Sequence, residues 1–124
     1  MNVLPWLKLD VVDFLQSESV MKMSLEEVGA YLLLLMQAWA QAKDCTLPDD
    51  LKLLSQMAKG KKISPRVLAL FPIVDTQWGK RRRNGRLYAT WEAAQEKSEV
   101  RAKVANARWD AVRKAKAEAK AVQP

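Results

Sequence analysis

The sequence predicts a mostly α-helical fold with a small β-hairpin, a winged helix-turn-helix carrying a long C-terminal helix. Three observations predict it. Residues 24–43 read as one long apolar helix opened by a capping signal. Two short helical stretches follow around a link containing Gly60, and then two runs rich in β-forming residues flank the basic segment Lys80 to Arg83. From Glu92 onward the chain is alanine-rich and charged, helical by propensity with little apolar surface to bury. The expected domains are residues 1–91, the winged helix, and residues 92–124, a basic alanine-rich helix or tail.

Residues 1–23 mix apolar and acidic side chains. "LDVVDFL" fits one helical turn or a short strand, and Ser17 to Ser19 mark a break. Ser24 and Glu27 then form a capping box, with Met23 and Val28 placed as a hydrophobic staple. Leu25, Val28, Leu32, Leu35, Met36 and Trp39 fall on one helical face. Tyr31, Leu34 and Ala38 widen it until the helix is apolar nearly all round, which suits the centre of a domain. Gly29 lowers helix propensity by about 1 kcal/mol and would let another element approach closely.

"TLPDD" connects to a helix from Asp50 to Lys59, with Leu51, Leu54 and Met57 facing in and Gly60 as the stop. Ser64 caps the next helix, Pro65 takes its favoured first position and Pro72 ends it. Two short helices around such a link spell a helix-turn-helix. "IVDTQW" and "RLYATW" read as paired strands. A two-residue turn at Asn84-Gly85 would set Arg83 against Arg86, so a broader loop from Gly79 to Gly85 is expected, with the arginines at its tip. Of the five tryptophans, Trp39, Trp6, Trp78 and Trp91 read as core, and Trp109 as either a docking anchor or an exposed side chain.

Charge divides the chain sharply. Residues 1–58 hold four Lys and eight Asp or Glu, a balance of −4, whereas residues 59–124 hold seventeen Lys or Arg and six acids, a balance of +11. Such asymmetry points to a polyanionic partner for the second half. Lys59, Lys61, Lys62, Ser64 and Arg66 cluster at the link and at the start of the second short helix, whose free amides suit a phosphate. Lys80, Arg81, Arg82, Arg83 and Arg86 decorate the hairpin. In a winged helix these two groups lie near one surface, so the ten residues form the expected nucleic-acid-binding set. The second short helix is barely two turns, which favours a contact dominated by the wing. The alternative for each cluster is a solvated face.

Other classes are disfavoured. One cysteine and no histidine exclude a disulfide framework and an ordinary zinc site. Cys45 reads as a small packed side chain, and the acid pairs Glu26-Glu27 and Asp49-Asp50 as partners of helix dipoles. No catalytic residue, metal or cofactor is expected, and an enzyme is the weak reading. The most apolar stretch, "VGAYLLLLMQAWA", is thirteen residues long, short of the roughly 20 that a membrane span needs. With no secretory signal visible, a soluble cytoplasmic protein is expected.

"SLEEVGAYLLLLMQAW", "LPDD", "RNGRLY" and "KSEVRAKVANARW" follow one another in an order that resembles the YdaU-like prophage proteins, over about residues 9–109. The resemblance implies a winged-helix-like domain of phage origin, working in a bacterial host in replication initiation or its control. Pro72 shortens the second helix, and Thr90 and Trp91 stand where the family has acids. Together with the charge, this gives a protein that binds DNA, as a duplex. Two alternatives use the same scaffold: a protein-interaction module, whose C-terminal helix binds a replication or host protein or a second copy of the chain, and a transcriptional regulator.

Overall fold

A computed structural model describes residues 4–41, 43–60 and 62–122. The chain divides into two compact units, Met1–Glu92 and Ala93–Pro124. Among the described residues the architecture is mostly helical, with a three-stranded antiparallel sheet and a long C-terminal helix.

The helix starts are written in local sequence. Asp10 opens α1 (Val11–Gln16), its carboxylate accepting the Asp13 amide at 2.9 Å. Ser17 ends α1 and begins α2 (Glu18–Met21), which is the break expected there. Helix α3 (Leu25–Ala40) begins in the full capping box: Ser24 Oγ accepts the Glu27 amide at 3.2 Å, and Glu27 Oε1 accepts the Ser24 amide at 3.1 Å. Asp50 caps α4 (Leu51–Met57), and Ser64 caps α5 (Pro65–Leu68) with Pro65 in its first turn. These side-chain oxygens satisfy amides that otherwise lack an intrahelical partner.

Helix α3 supplies the centre of the core. Leu34, Leu35, Ala38 and Trp39 are buried, as are Leu47, Leu54, Val67, Phe71, Leu87 and Trp91 elsewhere in the first unit, and α3 lies against α4 and α5. Each fully buried large aliphatic side chain contributes about 1.5–3 kcal/mol of transfer free energy. The Trp39 indole N–H donates to the Leu4 carbonyl at 2.9 Å, so burial leaves its polar end satisfied. Phe14 stacks on Tyr31 at 5.6 Å, and Tyr31 meets Phe71 edge-on at 5.8 Å. The apolar stripe of α3 is narrower than expected, because Leu25 and Met36 are exposed. No neighbour lies within 4 Å of where a Cβ on Gly29 would stand, so close approach is not the reason for that glycine.

The sheet corrects the expected hairpin. Strands β2 (Ile73–Thr76) and β3 (Gly79–Arg82) turn at Gln77-Trp78, and the basic run forms the return strand. Gly79 has φ +97°, a backbone conformation that glycine accepts readily. The Thr76 hydroxyl closes the turn, donating to the Gly79 carbonyl at 2.8 Å and accepting the Trp78 amide at 3.2 Å. A third strand absent from the sequence reading, β1 (Leu47–Pro48), pairs with the other edge of β3, giving the order β1-β3-β2.

The expected second strand, "RLYATW", is instead the start of α6 (Gly85–Val122). Asn84 is its cap: the side-chain oxygen accepts the Leu87 amide at 2.9 Å, and the Asn84 carbonyl accepts the Tyr88 amide at 2.9 Å. Leu87 and Trp91 are buried while Ala89 between them is exposed, the spacing of a helix face rather than the alternation of a strand. Trp39 and Trp91 are core as expected. Trp6 is 83% exposed and Trp78 39% exposed, so these two are not core, and Trp109 is exposed.

Candidate nucleic-acid interface

The hairpin arginines do not stand at a loop tip. Arg81 lies on the central strand and is 8% exposed. Its Nε donates to Thr46 Oγ1 at 2.7 Å and its Nη2 to the Thr46 carbonyl at 3.4 Å. Burial pushes the Arg81 pKa down from its ordinary value, and no carboxylate pairs with it among the described residues. Arg82 donates from Nε to Asp49 Oδ1 at 2.9 Å and from Nη1 to the Phe71 carbonyl at 3.1 Å. Arg83 donates to the Asp44 carbonyl at 3.2 Å, and its guanidinium carbon lies 3.8 Å from the centre of the Tyr88 ring, a cation–π contact. Three successive guanidinium groups are thus distributed over carbonyl oxygens, one carboxylate and one aromatic face. These partners offset the repulsion that a basic run would otherwise suffer. The expectation that the run is a solvated wing tip is overturned for Arg81, Arg82 and Arg83.

Arg86 is the first side chain of α6 and pairs with Asp13 at 2.7 Å, both well exposed. Lys80 is exposed on β3 without an ion pair among the described residues. Lys59 lies in the turn just after α4, with φ +64°, and is exposed, as is Lys62 in the link that follows. Lys61 lies outside the described residues.

The start of α5 also differs from expectation. Ser64 Oγ accepts the Val67 amide at 3.2 Å, and its hydroxyl donates to Glu27 Oε2 at 2.8 Å. Arg66 reaches the Lys22 carbonyl and stands 3.8 Å from Glu27 Oε1. The helix start expected to offer free amides to a phosphate is therefore already faced by a carboxylate. Ser64 and Arg66 fasten α5 to α3, and of the residues expected at this link, Lys59 and Lys62 are exposed and make no ion pair among the described residues.

Glu27 holds this joint, and its carboxyl pKa is lowered chiefly by the Ser24 amide, then by the Ser64 hydroxyl. A depressed carboxyl stabilises the fold above its ordinary range, and the contribution is lost as pH falls through the folded value. Thermal midpoints between about pH 6 and about pH 3 should therefore fall more steeply for the parent than for Glu27→Gln. The variant should start lower at neutral pH. Parallel curves for the two proteins would show that Glu27 carries no such linkage.

Residues that the sequence reading missed lie in the turn beneath the arginines. Asp44 and Cys45 have φ +55° and +56°, left-handed values seldom held by residues other than glycine. Thr46 and Cys45 are fully buried there, and burial pushes the Cys45 thiol up to about 12, so it stays protonated. No local motif announces that this turn receives Arg81 and Arg83, since the Thr46–Arg81 contact spans 35 positions.

In the second unit, Lys97, Arg101, Lys103, Arg108, Arg113, Lys114 and Lys116 are all exposed on α6, with Val100, Val104, Trp109 and Val112 among them. Among the described residues no helix is long and apolar enough to cross a membrane. A family model described as a protein of unknown function, DUF1376, matches residues 5–82 of the chain. No curated protein and no solved structure matches it.

Proposed function

We propose that this chain, which belongs to the family of proteins of unknown function DUF1376, binds duplex DNA. The observation that carries this reading is the charge of residues 59–124, seventeen basic side chains against six acids. Arg81, Arg82 and Arg83 serve the fold, which leaves Lys59, Lys62, Lys80 and the exposed cations of α6 to meet phosphates. The order α4, α5, β2–β3 and α6 supports reading the first unit as a winged helix-turn-helix. The resemblance to the YdaU-like prophage proteins supports a place in phage replication initiation or its control, in the cytoplasm of a bacterial host.

Contacts of this kind are electrostatic and carry little sequence information. Non-specific affinity of about 10⁻⁴–10⁻⁶ M near physiological salt is expected, falling steeply as salt rises. Fluorescence anisotropy of a labelled duplex, titrated at several salt concentrations, tests this. An absence of binding even at low salt would remove the reading. It would favour the protein-interaction alternative, which the exposed Val100, Val104, Trp109 and Val112 of the C-terminal helix support.

A further inference from the structure

Within the second unit the charges of α6 are not scattered evenly around the helix. At about 100° per residue, Lys97, Arg101, Arg108 and Lys116 fall within an arc of about 100°. Glu96, Glu99, Asp110 and Glu118 occupy another arc of similar width. Lys103 and Lys114 stand on this acidic side, each four residues after an acid, the spacing that lets a helix pair its own charges. Arg113 pairs with Asp110 at 3.8 Å. By contrast, Lys97, Arg101, Arg108 and Lys116 are exposed and have no acid three or four residues away, although neither they nor Lys103 and Lys114 make an ion pair among the described residues.

From this segregation we infer that the four-cation stripe of α6 is a principal phosphate-contacting surface of the protein. The inference rests on the nucleic-acid reading above and locates it. The stripe spans about 28 Å along the helix at 1.5 Å per residue, long enough to meet several phosphates of one duplex. Its geometry also restricts how the helix lies. A helix inserted in the major groove is flanked by phosphates on both sides, where the acidic arc would be repelled. A helix with cations on one arc and acids on another is suited to rest one face along the backbone, and it reads no bases. The supported partner is therefore a duplex recognised by its phosphates, irrespective of sequence.

Two double variants of the full chain with equal loss of charge test the stripe. Arg101→Gln/Arg108→Gln removes half of it, and Lys103→Gln/Lys114→Gln removes two cations from the acidic side. All four positions are exposed, and glutamine has nearly the helix propensity of lysine and arginine, so the fold should be unchanged. With about 0.9 units of salt slope per phosphate contact, the stripe variant should lose about two units of slope and about tenfold or more in affinity. The control variant should change affinity by less than about threefold, and its slope should remain near the parent's. Equal losses in the two variants, or no loss in either while the parent binds, would overturn the stripe and leave DNA binding standing. Failure of the parent to bind would overturn both.

Discussion

Phe71→Ala is expected to lower the stability of the first unit by about 3–5 kcal/mol. The Phe71 ring is 1% exposed at the junction between α5 and β2. Its edge meets Tyr31, which stacks on Phe14, so one ring links α3, α1 and the sheet. Alanine would leave an apolar cavity at this crossing, and the surroundings are tied: the Phe71 carbonyl accepts Arg82, and the neighbouring Pro72 carbonyl accepts the Arg83 amide. A cavity whose walls cannot collapse gives the upper part of the range. Domains of this size hold only about 5–15 kcal/mol in all, so most of the stability would go. The thermal midpoint should fall by more than about 10 °C. Phe71→Leu keeps most of the volume and should lose about 1–1.5 kcal/mol. Urea unfolding followed by tryptophan fluorescence reads both variants, because Trp39 and Trp91 sit in the same core. A midpoint shift of only a few degrees for Phe71→Ala would mean that the aromatic cluster is peripheral.

The parts of this fold that were legible in the sequence are those decided within four residues. Ser24 with Glu27, Asp50, and Ser64 with Pro65 each announce a helix start because the cap and its target lie in one turn. The burial of Trp39, Leu34 and Leu54 follows from helical spacing alone. What failed was set at long range. Strand β1 is two residues long, and its pairing with Arg81 and Arg82 spans more than thirty positions. The charge asymmetry of the two halves was visible, but which cations remain available was not. That depends on Asp13, Asp49, Glu27 and the carbonyls of Asp44, Thr46 and Phe71, and none of these lies near its arginine in sequence. A basic run read as an anion grip is therefore, for three of its four members, a means of holding a turn and a sheet together.

Asn84 shows how one residue type supports two readings, and its substitutions separate them. Asn-Gly between β-forming runs is a strong hairpin signal, because both residues accept positive φ. Here Asn84 is 7% exposed and starts α6. Its oxygen accepts the Leu87 amide, and its Nδ2 donates to the Leu70 carbonyl at 3.0 Å and to the Tyr31 hydroxyl at 3.3 Å. Asn84→Ala removes a cap worth about 1 kcal/mol and strands a carbonyl whose loss of partner costs about 1–3 kcal/mol. The expected total is about 2–4 kcal/mol. Asn84→Asp is the sharper test. Aspartate caps a helix as well as asparagine does, and Asp-Gly turns a hairpin as well as Asn-Gly does, so both local rules expect little change. The site expects more. The Tyr31 hydroxyl can rotate to donate, but the Leu70 carbonyl can only accept, and it would face a carboxylate in a buried position. Burial and that carbonyl should hold the new carboxyl pKa above its ordinary range. The destabilisation is then present above the folded pKa and is relieved as pH falls through it, when the protonated carboxyl can donate to Leu70. Asn84→Asp should therefore be less stable than the parent at neutral pH by about 2 kcal/mol or more, and the gap should narrow on acidification. Urea unfolding of both proteins at neutral and acid pH measures this. A variant as stable as the parent at neutral pH would show that Asn84 serves only the local turn or cap, and that its bonds to Leu70 and Tyr31 hold nothing.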